Sequence, residues 1–149
     1  MINIRIAITE DLPELAGIFD QYRSFYRQPP DRAGALQFLQ ERIQQKDAIL
    51  YVAAEDGSLL GFTQLYPLIS SVRMKRCWLL NDLFVLEAHR ERGISKQLIA
   101  MAKQLAIQTG AAGLLLETDR SNAVGNHLYP SMGFALNETS HFYWWQPGQ

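Results

Sequence analysis

The chain has a single cysteine, Cys77, so it forms no internal disulfide and must hold its fold by packing alone; a reducing compartment is expected. It has no apolar run long enough to span a bilayer, and its first residues, MINIRIAITEDL, lack the apolar stretch of a signal peptide. It carries almost no net charge. Its 14 Lys and Arg against 15 Asp and Glu leave −1, which speaks against nucleic acid or a membrane surface as partner. His89, His127 and His141 fall at no ligand spacing and have no cysteine partner, so no metal site is expected. No serine sits in a nucleophile elbow. These absences predict a cytoplasmic protein. With 149 residues, 48% of them apolar, residues 1–149 are expected to form one domain.

What is present is a patterned α/β chain. Ile2, Ile4, Ile6 and Ile8 alternate with smaller or polar residues, predicting a strand with one buried face. Thr9 or Asp11 can cap the next helix, with Pro13 in its first turn. Leu12, Leu15, Phe19, Tyr22 and Tyr26 share one helical face. Gln28 to Asp31 breaks that helix, and a second runs from about Ala33 to Gln45 with Leu36, Leu39 and Ile43 inward. Ala48–Ala54 reads as a strand, Asp56-Gly57 as a hairpin turn, and Leu59–Ile69 as a longer strand broken or ended near Pro67. Arg76–Leu86 is the next strand, followed by a helix from Gly93 to about Thr109 and a short strand, Gly113–Thr118. A helical crossover between those two strands implies that they pair in parallel. Asn122–Met132 reads as helical, and Phe134–Leu136 and Phe142–Trp145 as closing strands. The order is β-α-α-β-β-β-α-β-α-β-β, a single mixed sheet, antiparallel first and parallel at its centre.

The stretch Leu79–Leu98 organises this pattern: a strand, a basic turn, then Gly93 opening a helix. The first N–H groups of a helix lack internal partners, and its dipole favours negative charge there, so the turn suits a phosphate. Gly93 allows close approach to the backbone, Arg90 and Arg92 add charge, and Ser95 can donate. The turn is neither a Walker loop nor a dinucleotide fingerprint, and one glycine in a basic turn is a weak motif by itself.

Arg90-x-x-Gly93-x-Ser95 after Leu83-Phe84-Val85 resembles the signature of the GCN5-related N-acetyltransferases, the GNAT superfamily. A second block agrees: Asn122, then Leu128-Tyr129, then Met132-Gly133-Phe134. Ser95 departs from the usual Gly or Ala. LLNDLFV, ETDRSN and LYPSMGF look closest to the histone and polyamine acetyltransferase-like branch.

The resemblance implies acetyl-coenzyme A as co-substrate. Its pyrophosphate would lie on backbone N–H groups from about Arg92 through Gly93 and Ile94 to Ser95, with Arg90 beside them and Asn122 and Tyr129 contributing from the second block. Its pantetheine arm would lie between the two parallel strands, pairing with the backbone of Leu83, Phe84 and Val85. Tyr129 occupies the family's general-acid position, near the cofactor sulfur. A backbone N–H near Leu83 or Phe84 would serve the developing oxyanion. Some relatives carry Glu-Asp where this chain has Asn81-Asp82. Asn81 cannot act as a base, which leaves Asp82, expected on the opposite side of the strand from Asn81, as either base or polar sheet-end group. The family's acceptor site falls between the first two helices, where Arg23, Phe25 and Tyr26 lie, and Asp82 and Glu117 could attract a cationic amine. Trp144-Trp145 is expected in the core or at a homodimer contact. The activity implied is acetyl transfer to a primary amine of a small molecule, polyamine or protein; the alternative is a catalytically idle acyl-coenzyme A-binding module.

Overall fold

The computed structural model describes residues 1–148, and its backbone forms two compact units, Met1–Glu117 and Thr118–Gln149. The first holds the sheet. Its elements are β1 (Asn3–Ile6), α1 (Leu12–Phe25), α2 (Arg32–Gln45), β2 (Ile49–Glu55), β3 (Ser58–Ser70), β4 (Lys75–Val85), α3 (Ile94–Gln108) and β5 (Leu114–Leu115). The strands lie in chain order, β1 to β4 antiparallel and β4 to β5 parallel. The mixed sheet anticipated from the crossover is therefore present.

Packing explains the helices. Leu12, Leu15, Ala16, Ile18 and Phe19 of α1 and Ala35 and Leu39 of α2 are buried with Leu50, Val52 and Phe62 of the sheet. Truncating a residue as enclosed as Leu39 costs about 2–5 kcal/mol. Ile94, Leu98, Ile99, Ala102 and Leu105 form the buried stripe of α3. Asp31 caps α2, its carboxylate accepting from the Gly34 N–H at 2.9 Å. Asp56 and Gly57, at φ 51° and 79°, make the tight turn that the Asp-Gly pair predicts.

Several expectations are corrected. Ile6 and Ile8 are exposed, because β1 ends at Ile6 and Ala7 turns inward instead. Asp11 precedes α1 without capping it. Its carboxylate turns back to the Arg5 guanidinium at 2.7 and 2.9 Å and to the Ile8 N–H at 2.8 Å, and Arg5 holds it below the usual carboxylate range. Strand β3 runs through Pro67, which pairs with Trp78. The β2 ladder ends at Leu65, so the missing Pro67 N–H forfeits no bond on that side.

In the second unit, α4 (Ala123–Ser131) is capped by Asn122, which accepts from the Gly125 N–H at 3.1 Å, and the chain leaves it through Gly133 at φ 89°. The two closing strands are not formed: residues 133–148 contain no helix or strand. Aromatic residues favour strands, but a strand exists only with a backbone partner, and none is paired there. Trp144 and Trp145 are 84% and 72% exposed, so they are not core. Among the described residues no helix is long and apolar enough to cross a membrane.

Candidate active site

Two features of the first unit stand out around β4. The first is its far end. The parallel ladder to β5 covers only Trp78–Leu114 and Leu79–Leu115, flanked by the Ala112 N–H to Arg76 carbonyl bond at 2.7 Å and the Trp78 N–H to Gly113 carbonyl bond at 3.1 Å. Beyond Leu79 the two strands no longer pair, and Leu83, Phe84 and Val85 follow on the length of β4 that pairs with β3 alone. The chain then makes a short turn and enters α3 through Gly93, at φ 75°. Among the described residues no side chain caps α3. A Cβ built on Gly93 meets none of their atoms within 4 Å beyond its chain neighbours and its own helix, so the space before the helix is open among them. Uncapped N–H groups, a positive end of the dipole and open space together suit an anion.

The arginines of the turn are already engaged. The Arg90 Nε donates to the Val85 carbonyl at 3.0 Å, and its guanidinium lies over the Phe84 ring at 5.4 Å. Arg92 pairs with Glu55 at 2.8 and 3.0 Å, which holds that carboxyl below its ordinary range, and contacts the His89 ring. An anion at this helix start would therefore meet chiefly backbone N–H groups; Ile94 is buried and Ser95 half-buried.

The second feature is a bulge. Gln64 pairs with Asp82 and Leu65 with Leu80, leaving Asn81 as the extra residue of β4. Strict alternation would separate the Asn81 and Asp82 side chains. The bulge breaks it, and the Asn81 Nδ2 donates to the Asp82 Oδ1 at 3.1 Å. Asp82 is 6% exposed, and the Gln64 Nε2 donates to its Oδ2 at 3.0 Å and to the Tyr66 hydroxyl at 3.1 Å. Burial raises the Asp82 pKa, opposed by the hydrogen bonds from Gln64, Asn81 and Tyr22. Tyr66 is also raised, by burial first and then by the Asp82 charge. A carboxylate with increased proton affinity is a better base at neutral pH than a surface one.

Tyr22 joins this cluster to α1. Its hydroxyl donates to the Asn81 carbonyl at 3.4 Å, and its ring packs edge-on against Phe62 at 5.6 Å and Tyr26 at 5.2 Å. Phe25 stands edge-on to Tyr26 at 5.2 Å and is 58% exposed. Arg23 instead serves the loop after α1, donating to Asp20 at 2.9 Å and the Pro29 carbonyl at 3.0 Å. Glu117 is exposed at the end of the unit. In the second unit, Asn122 is occupied as a cap and also donates to the Thr118 hydroxyl at 2.9 Å. There Tyr129 is half-buried, with its ring 6.0 Å from Phe134. Sequence reading missed Gln64, Tyr66 and Tyr22 as partners of Asp82. The available signal was Thr63-Gln64, two polar residues inside the apolar run Leu59–Tyr66.

Residues 15–134 match the acetyltransferase (GNAT) family. The chain is 44% identical over 133 residues to the uncharacterised N-acetyltransferase YhfO of Bacillus subtilis (strain 168), covering 89% of each. Its fold is similar to the crystal structure of a probable acetyltransferase, with TM-score 0.92, 35% identity and 99% of each chain covered. It is also similar to AAC(6')-Iy in complex with the bisubstrate analogue CoA-S-monomethyl-acetylneamine, with TM-score 0.81, 25% identity, and 98% of this chain and 99% of that one covered.

Proposed function

Since the chain belongs to the acetyltransferase (GNAT) family and is an N-acetyltransferase, we propose that it moves an acetyl group from acetyl-coenzyme A to a primary amine by direct attack, with Asp82 as base. The observation that carries this reading is the combination of an open, uncapped helix start with the end of β4 whose edge away from β3 has no partner strand. The residues present fit the cofactor. The N–H groups from Arg92 to Ser95 would hold its pyrophosphate, and the backbone of Leu83, Phe84 and Val85 would hold its amide-bearing arm. When bound, acetyl-coenzyme A supplies a thioester carbonyl.

The remaining chemistry falls to the chain. An acceptor ammonium, with pKa about 10.4, must lose a proton before its nitrogen can attack. Asp82, lifted by burial and steadied by Gln64 and Asn81, takes that proton directly or through water. A β4 N–H near Leu83 or Phe84 would donate to the thioester carbonyl oxygen as charge develops there. The transfer would form one C–N bond and break one C–S bond. Tyr129, at the position that the family resemblance gives the acid, would return a proton to the departing sulfur and regain one from the acetylated nitrogen through solvent, for a net yield of one amide, one thiol and one released proton.

Thiol release from acetyl-coenzyme A across a panel of amines tests the activity. Turnover on at least one amine is expected, and tight cofactor binding without turnover on any would overturn it. Tyr129→Phe is expected to lower kcat by about 10-fold; an unchanged kcat would remove Tyr129 from the mechanism. We also infer a homodimer in which the exposed run Phe142–Trp145 meets a second copy. A monomer by analytical ultracentrifugation would count against it.

A further inference from the structure

We propose that the acceptor is a singly charged primary amine with an aromatic or bulky apolar body, held between Asp82 and the exposed Phe25–Tyr26 ring pair, and not a polycation. The proposal rests on the reading of Asp82 as the base of an acetyl transfer.

The rings form a continuous series. From Phe62 in the core it passes to Tyr22 at 5.6 Å, to Tyr26 at 5.2 Å and to Phe25 at 5.2 Å. Exposure rises along it, from 0% at Phe62 through 39% at Tyr26 to 58% at Phe25. Its Tyr22 step touches the Asn81–Asp82 bulge, so the buried carboxylate and the exposed rings are joined by one side chain. An amine at Asp82 would therefore carry its substituent along ring faces. Such faces favour aromatic and apolar groups by burial and by ring–ring contact.

The charges nearby argue against a second ammonium. Between residues 20 and 32 stand Arg23, Arg27 and Arg32 against Asp20 and Asp31. Both carboxylates are occupied: Asp20 accepts from Arg23 and from the Asp31 N–H, and Asp31 caps α2. Arg23 is tied to Asp20 in turn, and Arg32 to the Pro13 carbonyl, so a polycation would find the nearly dry Asp82 carboxylate and no second unengaged carboxylate on this segment. The relative solved with an acetylated neamine analogue is named for a different kind of acceptor.

The test uses the full chain with acetyl-coenzyme A and four amines: phenethylamine, ethanolamine, spermidine and neamine. Phenethylamine is expected to exceed ethanolamine in kcat/KM by at least about 10-fold, and to exceed both polycations. Phe25→Ala is expected to narrow the gap by lowering phenethylamine turnover more than ethanolamine turnover. A polycation as best substrate, or an equal loss on both monoamines, would overturn the proposal while leaving the acetyl transfer intact. Ring-proton NMR titration separates the two readings further. Shifts at Phe25 and Tyr26 with phenethylamine but not spermidine, in a protein that turns over neither, would uphold this ligand class and sink the transfer. No shift with phenethylamine would overturn the ligand class whatever the turnover.

Discussion

The helix start at Gly93 and the bulge at Asn81 sit on the same stretch of chain, yet they are built differently. At Gly93 the groups proposed to work are backbone N–H groups, and the neighbouring arginines are tied to Val85 and Glu55. At the bulge the group proposed to work is a carboxylate, and four side chains from two other elements and its own strand surround it: Tyr22, Gln64, Tyr66 and Asn81. A backbone site depends on local conformation and tolerates change in what surrounds it. A side-chain site depends on tertiary contacts and is tuned by each of them.

This contrast can be broken most sharply at Gly93. Any residue with a Cβ is strained at φ 75°, and a carboxylate there would face the bound anion, so Gly93→Glu is expected to weaken acetyl-coenzyme A binding on the order of 100-fold. Because the surrounding space is open, the circular dichroism spectrum should stay that of the parent. Unchanged affinity by calorimetry would refute the backbone site. Next, Asp82→Asn should lower kcat/KM at neutral pH by about 100-fold, with cofactor affinity kept.

The same variant reads out burial. The folded pKa of Asp82 lies above its unfolded value. Below the unfolded value both states are protonated and wild type and variant should melt alike. As pH rises, the unfolded chain ionises first, so wild type should lose stability relative to Asp82→Asn, which melts higher at neutral pH. Equal melting temperatures at all pH values would contradict the burial.

A smaller effect is expected from Gln64→Leu. Its amide stabilises the ionised carboxylate, so removing it should move the acid limb of the pH–rate profile upward. No movement would make Gln64 a packing residue. Smallest of all is Arg92→Ala. Its partner Glu55 is solvent-screened, so the melting temperature should hold, and cofactor affinity should fall only a few-fold. A large loss would mean that the turn depends on its arginines after all.

The fold and the turn were legible because both rest on short-range rules. The hairpin followed from Asp56-Gly57, α2 from Asp31 and its apolar spacing, and the parallel pair from a helical crossover. What could not be read was whatever needs a distant partner. Asp82 gains its proton affinity from burial between β3 and α1, and nothing in LLNDLFV announces Gln64 or Tyr22. The bulge itself is a one-residue mismatch between strands, invisible until both are aligned. The tail failed for the same reason in reverse. Phe142–Trp145 has the composition of a strand, but composition supplies no partner.

The brevity of β5 has one more consequence. A strand with unpaired N–H and C=O groups is a template for any extended chain, its own kind included. About half of β4, beyond Leu79, is in that condition along its edge away from β3. A cofactor arm lying along it would occupy the vacancy, so the ligand that the enzyme consumes would also keep its molecules from adhering to one another. Stocks stripped of coenzyme A should then cloud sooner on standing than loaded ones.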